Sequence, residues 1–248
     1  MGNYLAYPEY QDSNIKWLGK IPNHWNLVKL KRISRLSQGL QIAQSDRFYE
    51  PGEDRIEYIT IKSIHAGKNN HSKEYIYQPS PRVICTSEDI LLARTGATGE
   101  VVTGIRGAFH NNFFKVEFDR NKIKKDFYIY YLKSKVVYQE LLLKAGITTI
   151  PDLNHEEFLS TSIGLPPISE QRKIINFIDY KTAQIDALIA KKEALLKKLS
   201  EQRSAIITQA VTKGLDPTVP MKDSGIEWLG EIPLNWIVLP IKFTLAMP

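Results

Sequence analysis

Two short stretches of this 248-residue chain concentrate side chains that hydrogen-bond to nucleic acids. Residues 61–75 read "IKSIHAGKNNHSKEY", and residues 106–114 read "RGAFHNNFF". Lysine and arginine neutralise phosphates, whereas asparagine and histidine also reach the edges of bases. We therefore predict nucleic-acid contacts from Lys62, His65, Lys68, Asn69, Asn70, His71, Lys73, Arg106, His110, Asn111 and Asn112. The alternative for each stretch is a solvated hairpin loop that binds nothing.

The most glycine-rich stretch, residues 91–104, reads "LLARTGATGEVVTG". It lacks the Gly-Lys-Ser/Thr ending with which a phosphate-binding loop holds a nucleoside triphosphate. We predict instead a surface turn in which Arg94, Thr95 and backbone N–H groups contact a nucleic-acid phosphate. A tight turn between two strands, without any ligand, is the alternative.

The residues that usually carry catalysis or bind metal show no matching spacing. The five histidines form no His-Glu-x-x-His pattern, and the single cysteine, Cys85, fits a buried apolar position. Acids cluster in "PDLNHEE", but Glu156 and Glu157 fit a solvated first helical turn, and no Glu-x-Lys follows as in a nuclease. No Gly-x-Ser-x-Gly and no Asn/Asp-Pro-Pro-Tyr/Phe occurs either. The sequence therefore favours a binding protein without a cofactor or metal of its own.

The elements that must position these residues are mixed and strand-rich over residues 1–165. Residues 55–64 alternate with period two and predict a strand, and the apolar run at 89–96 predicts a buried strand. Residues 125–146 predict one helix that ends at Gly146. Asn154 is expected to cap a short helix. The predicted class is α+β.

Residues 168–213 contain neither glycine nor proline, and Ser169 is a candidate N-cap. Apolar residues recur there with the seven-residue period of a coiled coil. The stripe comprises Ile178, Ile185, Leu188, Leu195, Leu199 and Ile206. One such helix cannot bury this stripe by itself, so we predict a partner helix in another chain or in sequence beyond Pro248.

The chain also repeats its opening. Residues 12–31 and 223–242 align without a gap at a constant offset of 211 and share ten of twenty residues. A repeat with so long a period indicates a duplicated unit. The predicted domains are therefore residues 1–165, a long helix at 166–215, and the start of a second unit at 216–248.

The charge balance fits nucleic-acid binding without requiring it. The formal net charge is +6 and the pI is about 9.2. No signal-peptide pattern opens the chain, and no apolar run reaches the roughly 20 residues of a membrane span. We therefore expect a cytoplasmic protein.

With these motifs laid out, the sequence resembles the specificity (S) subunit of type I restriction–modification systems. The resemblance rests on "DSGIEWLGEIPLNW", "DILLARTGATGEV", "GITTIPDLNHEEFLSTSIGLPPISEQRKIINFID" and "AQIDALIAKKEALLKKLSEQRSAIITQAVTKGLDP". It implies DNA target-recognition domains, each followed by a long helix, with two helices packed antiparallel and each domain reading half of a split target. It also implies a non-catalytic subunit, joined by methyltransferase subunits that use S-adenosylmethionine and by a restriction and translocase subunit.

The sequence departs from this family in length, because it holds one recognition domain where the family has two. We therefore predict that two copies pair through their long helices as a homodimer that binds double-stranded DNA. The alternatives are a fragment of a two-domain subunit, a stand-alone nuclease, and a protein–protein adaptor.

Overall fold

The computed structural model describes residues 6–65, 73–146 and 149–241. The chain divides into two compact units, Met1–Ile178 and Asp179–Pro248, with the division inside a long helix. The domain boundaries inferred from the sequence stay a prediction. None of the helices in the described ranges is both long and apolar enough to cross a membrane.

The described residues form short strands and five α-helices. The strands of the first unit are β1 (Tyr10–Asp12), β2 (Lys20–Pro22), β3 (Asn26–Lys29), β4 (Ser34–Gln38), β5 (Arg55–Ile59), β6 (Glu74–Tyr77), β7 (Ile84–Cys85), β8 (Ile90–Ala93), β9 (Val101–Thr103), β10 (Gly107–Phe109), β11 (Phe113–Phe118) and β12 (Ser162–Leu165). Its helices are α1 (Ile61–His65), α2 (Lys125–Lys133), α3 (Lys135–Lys144), α4 (His155–Ser160) and the start of α5 (Ile168–Lys213). The second unit adds β13 (Met221–Asp223) and β14 (Glu231–Pro233). This mixed architecture with one long helix confirms the predicted class.

The largest sheets among the described residues of the first unit are two four-stranded sheets. Their strand orders are β6-β5-β10-β7, in which β5 and β10 run parallel, and β4-β11-β8-β9, which is antiparallel throughout. The predicted buried strand is β8, and all four of its residues are buried. Side chains alternate across a strand, so Ile90 and Leu92 join the core under the helices, whereas Leu91 and Ala93 join the core that contains Cys85.

The strand predicted over residues 55–64 ends early. β5 stops at Ile59, and α1 begins at Ile61. The backbone N–H of Thr60 donates to Ser63 Oγ at 2.9 Å, and the N–H of Ser63 donates to Thr60 Oγ1 at 3.2 Å. This reciprocal pair is a capping box, which starts a helix where the alternation of side chains favours a strand.

The helix predicted over residues 125–146 is two helices. Ser134 is extended, with φ −63° and ψ 138°, and its hydroxyl donates to the carbonyl of Tyr131 at 2.7 Å. Serine side chains compete with the helical hydrogen-bond pattern in this way. The predicted end is confirmed, because Gly146 has φ +89° after the last turn of α3. The predicted cap is also confirmed, since Asn154 Oδ1 accepts the Glu157 N–H at 2.9 Å.

The long helix α5 runs over 46 residues and ends before Gly214, which has φ +83°. It begins one residue before the predicted cap, Ser169. The carbonyl of Pro167 accepts the N–H groups of Glu170 and Gln171, at 2.9 and 3.0 Å, so Pro167 takes the capping position. The prediction of Ser169 as N-cap was therefore wrong.

Gln171, in the first turn of α5, is completely buried. Its Nε2 donates to the carbonyls of Lys122 and Pro166, each at 2.9 Å, and its Oε1 accepts the N–H of Lys124 at 2.8 Å. Three backbone groups that would otherwise lack partners are thus satisfied by one side chain. Gln171 ties the start of α5 to the segment that precedes α2.

Glu170 attaches the N-terminal residues to the same turn. Its carboxylate accepts the hydroxyl of Tyr7, Nε2 of His24 at 2.7 Å, and Nε1 of Trp25 at 3.0 Å. Burial opposes ionisation of Glu170, but the hydrogen bonds from these three groups outweigh burial and lower its pKa. The same carboxylate raises the pKa of Tyr7 to about 12. A carboxylate in the first turn also complements the positive end of the helix dipole.

We expect Glu170→Gln to lower the free energy of unfolding by about 1–2 kcal/mol at pH 7, because hydrogen bonds to an ionised group are lost. The folded-state pKa of Glu170 is lowered, so its contribution is complete above the unfolded-state pKa and disappears as the pH falls through the folded-state value. Urea unfolding should therefore show a difference between wild type and variant at pH 7 that shrinks below about pH 4. Glu201→Gln, at an exposed position of the same helix, is the matched control. An equal difference at pH 7 and pH 3 would contradict this role.

The repeated sequence forms the same hairpin twice. We call residues 10–22 the first hairpin and residues 221–233 the second hairpin; they contain the antiparallel pairs β1–β2 and β13–β14 in identical register. In both turns, a serine hydroxyl accepts the N–H two residues on at 3.2 Å, and a glycine N–H donates four residues back at 2.9 Å. Those glycines, Gly19 and Gly230, both have φ +64°. The aligned residues therefore encode one local structure.

Candidate nucleic-acid interface

Several predicted contact residues meet at one end of the two sheets. The N–H of Arg94, which follows β8, donates to the carbonyl of Asn112 at 2.7 Å, in the turn between β10 and β11. The N–H of His110 in that turn donates to the carbonyl of Ile59 at 2.9 Å, just before α1. Helix α1, the glycine-rich turn and the β10–β11 turn are therefore neighbours, although 25 or more residues separate α1 from either turn.

A cleft of about 230 Å³ opens between these segments. Its lining includes three predicted residues, Lys62, His110 and Asn112, together with Arg47, Thr60, Ile61 and Glu74. Lys62 is exposed and forms no ion pair with any residue that the structure describes. A free cation at the rim of a polar cleft suits a phosphate contact.

Arg47 has a structural position in this cleft. Its guanidinium pairs with Glu74 at 2.9 Å, donates to the carbonyl of Ile42 and lies 5.2 Å from the ring centre of Tyr58. Because Arg47 is paired with Glu74, Lys62 is the basic residue lining the cleft that has no acidic partner among the described residues. Sequence reasoning missed Arg47, because contacts between segments distant in the sequence, such as the pairings of Phe48 with Tyr75 and of Leu40 with His110, bring its segment here.

His110 is set up as a hydrogen-bond donor. Burial, with a contribution from the nearby Arg47, lowers the pKa of His110, so the imidazole is neutral at pH 7. Its Nδ1 lies 3.0 Å from the N–H of Asn112 and accepts from it. The proton of the neutral ring must then be on Nε2. A fixed donor of this kind matches N7 and O6 acceptors on purine edges.

The glycine-rich turn is held rigidly. Arg94 pairs with Asp152 at 2.6 Å and lies 5.4 Å from the ring centre of Phe114, while Thr98 donates to the carbonyl of Pro151 at 2.7 Å. Gly99 has φ +87°, and a Cβ there would approach the Tyr138 ring to 2.9 Å. Buried Nε of Arg94 has no hydrogen-bond partner within the described part of the chain. The sequence marked Asp152 only as one of several acids and gave no sign that it pairs with Arg94.

The other predicted residues fall into three groups. His65 and Lys73 lie at this end but already have partners: His65 Nε2 forms a hydrogen bond with Glu100 at 2.7 Å, and Lys73 forms an ion pair with Glu57 at 2.8 Å, whose hydrogen bond raises the pKa of Lys73. Thr95 is half-buried, and Asn111 donates to Gln41 Oε1 at 3.1 Å. Lys68, Asn69, Asn70 and His71 lie outside the described residues.

Arg106 is exposed at the opposite end of the strands. The pairing of Ile90 with Thr103 shows that β9 runs back toward the start of β8, and Arg106 follows β9. Arg106 is therefore separated from Lys62, His110 and Asn112 by the length of the hairpin.

The described side chains include no cluster of three or more histidine, cysteine, aspartate or glutamate residues placed to hold a metal ion. The groups gathered at this end of the sheets are hydrogen-bond donors, acceptors and cations.

The model of the type I restriction modification DNA specificity domain matches residues 22–198. The chain belongs to this family. Members with similar sequences include the MjaVIII type I restriction enzyme specificity subunit of Methanocaldococcus jannaschii, which is 26% identical over 237 residues and covers 94% of this chain and 52% of that protein. The EcoBI specificity subunit of Escherichia coli is 23% identical over 205 residues, covering 82% of this chain and 42% of that protein.

Solved structures show the same fold as this family member. The HsdS subunit of Thermoanaerobacter tengcongensis aligns with a TM-score of 0.56 at 21% identity, over 83% of this chain and 48% of that one. A chain from a structure of the type I R-M system, described for its complex assembly and conformational transition, aligns with a TM-score of 0.63 at 19% identity. The alignment covers 83% of this chain and 49% of that one. The resemblance seen in the sequence is confirmed, and the chain spans about half the length of the curated relatives it matches.

Proposed function

We propose that this chain is a non-catalytic specificity subunit that reads one half of a split duplex DNA target in the cytoplasm of a prokaryote. The observation that carries the proposal is the convergence of Lys62, His110 and Asn112 on one cleft, in a chain of this family. Lys62 contacts a phosphate, while the Nε2–H of His110 and the amide of Asn112 read base edges. His65 and Lys73 contribute from the same end, and Arg106 lies apart from this surface.

The long helix supports pairing of two copies. Within α5, the stripe residues Ile185, Leu188, Leu195, Leu199 and Ile206 keep between 48% and 59% of their side chains exposed. Ile178 of the same stripe is half-buried. In the described ranges the next longest helix is α3, with ten residues, so the stripe has no partner of its own length there. We propose that two copies pair these stripes antiparallel, as an isologous dimer with two identical readers.

Such a dimer reads an interrupted palindrome, because its two readers are related by a two-fold axis. Methyltransferase subunits, which use S-adenosylmethionine, and a restriction subunit join it, whereas this chain holds no cofactor. Methylation mapping with the partner methyltransferase should give two identical, inverted half-sites. Unlike half-sites for this chain alone would contradict the dimer, and DNA binding that does not weaken with salt would contradict phosphate contacts.

Leu195→Asn tests the helix pairing. We expect the dissociation constant of the dimer to rise at least about tenfold, because the substitution removes two apolar contacts related by symmetry. Sedimentation equilibrium measures the change, and Lys197→Asn, off the stripe on the same helix, is the control. Dimers of equal affinity in wild type and Leu195→Asn would mean that α5 does not form the contact.

A further inference from the structure

The two hairpins have the same backbone and opposite charge. The first hairpin carries Lys16 and Lys20, and the second carries Glu227 and Glu231 at the same aligned positions. Over the aligned segments, residues 12–31 have four lysines and one acid, whereas residues 223–242 have one lysine and three acids. Ten of the twenty aligned positions are identical, so the two lysine-to-glutamate reversals stand out against a retained framework.

These four charged side chains are available for a partner. Lys16, Lys20, Glu227 and Glu231 are all exposed, and none forms an ion pair with another described residue. Exposed charges are most often simply solvated. Here, however, the two lysines of the first hairpin and the two glutamates of the second hairpin occupy aligned positions on the same backbone. The spacing of the lysines therefore matches the spacing of the glutamates.

The second hairpin also exposes a large apolar side chain, whereas the equivalent side chain of the first hairpin is packed against the protein. Trp17 packs against the main core of the first unit. Its counterpart Trp228 is 83% exposed. An exposed tryptophan on a hairpin that also carries two exposed carboxylates is typical of an interaction surface, since aromatic residues are enriched at the centres of protein interfaces.

Each hairpin is fastened to one end of α5. Glu170, in the first turn, accepts hydrogen bonds from Trp25, which follows the first hairpin. Lys213, in the last turn, donates to the carbonyls of Leu229 and Glu231 in the second hairpin. In an antiparallel pair of helices, the last turn of one lies beside the first turn of the other. The second hairpin of one copy then faces the first hairpin of the other.

We propose that the second hairpin of each copy docks on the first hairpin of its partner, with Glu227 and Glu231 facing Lys16 and Lys20 and with Trp228 covered at the contact. The proposal rests on the antiparallel dimer of the proposed function and deepens it. Two symmetry-related contacts form in one dimer, and they fix the antiparallel direction, because a parallel pair would bring like charges together.

The test exchanges the charges. Variant A is K16E/K20E, variant B is E227K/E231K, and the four-substitution variant combines them and keeps the wild-type net charge. Each hairpin tolerates the exchanged residues, because its twin already has them on the same backbone. At low salt we expect A and B each to raise the dimer dissociation constant at least about tenfold, and the combined variant to restore it. Mixed A and B should form heterodimers with wild-type affinity, and the differences should vanish in 1 M NaCl.

The outcomes separate this inference from the proposed function. Wild-type affinity for A and B, without preferred heterodimers, would overturn the hairpin contact, while a dimer still weakened by Leu195→Asn would leave the helix pairing intact. A wild-type chain that sediments as a monomer at micromolar concentration would overturn both.

Discussion

Gln171→Ala is expected to lower the free energy of unfolding of the first unit by about 3 kcal/mol, because three backbone groups, one buried and two partly buried, lose their partner at once. The amide of Gln171 satisfies the carbonyls of Lys122 and Pro166 and the N–H of Lys124, all within 2.9 Å. A polar group that is removed from water and has no partner loses its hydration without compensation, and this one substitution leaves one buried and two partly buried groups unpaired. Urea unfolding, followed by circular dichroism, measures the loss.

Two further variants show where that loss comes from. Gln202→Ala, at an exposed position of the same helix, should change the free energy of unfolding by less than about 0.5 kcal/mol. Gln171→Met fills a similar volume without hydrogen bonding, so we expect it to be nearly as destabilising as alanine. Recovery of most of the stability by methionine would show that Gln171 acts through packing, which would contradict its role as a hydrogen-bonding tie.

Lys62→Glu is expected to have the largest effect on DNA binding. A reversed charge at the rim of the cleft should raise the dissociation constant for the target duplex at least about tenfold near 0.1 M salt. A phosphate contact carries no sequence information, so binding to an unrelated duplex should weaken by a similar factor. Fluorescence anisotropy with both duplexes measures the two dissociation constants. Lys62→Gln should reduce, by about one, the slope of the logarithm of the binding constant against the logarithm of the salt concentration.

Arg106→Glu is the matched control, since it makes the same change of charge at an exposed position at the opposite end of the strands. We expect it to leave binding within about twofold of wild type, because its separation from the cleft approaches or exceeds the screening length. Equal weakening by both variants would show that net charge, and not the cleft, governs affinity. Unchanged binding by Lys62→Glu would place the interface elsewhere.

Patterns that span a few residues predicted local structure well. The buried strand β8, the cap at Asn154 and the end of α3 at Gly146 all follow from rules that act over one or two turns of chain. Two of the errors came where a hydroxyl group overrode the hydrophobic pattern. Thr60 and Ser63 started a helix inside a predicted strand, and Ser134 divided a predicted helix.

The candidate site could be predicted only in part. The types of side chain in the two polar stretches indicated nucleic-acid binding, and Lys62, His110 and Asn112 do share one cleft. The position of Arg106 at the far end depends on the direction of β9, and the position of Arg47 depends on pairings between distant segments. Pairing between distant strands has no signature within either segment, so the positions of Arg106 and Arg47 could not be predicted from the sequence.

By itself, the sequence determined the family, the long helix with its apolar stripe, and the duplication with its exchanged charges, because periodicity, identity and charge are properties of the order of residues. Only the tertiary structure decided which polar residues converge, that His110 is a neutral donor, and that Glu170 and Gln171 fasten the helix. Those facts depend on burial and on contacts between residues up to 163 positions apart, which the fold alone brings together.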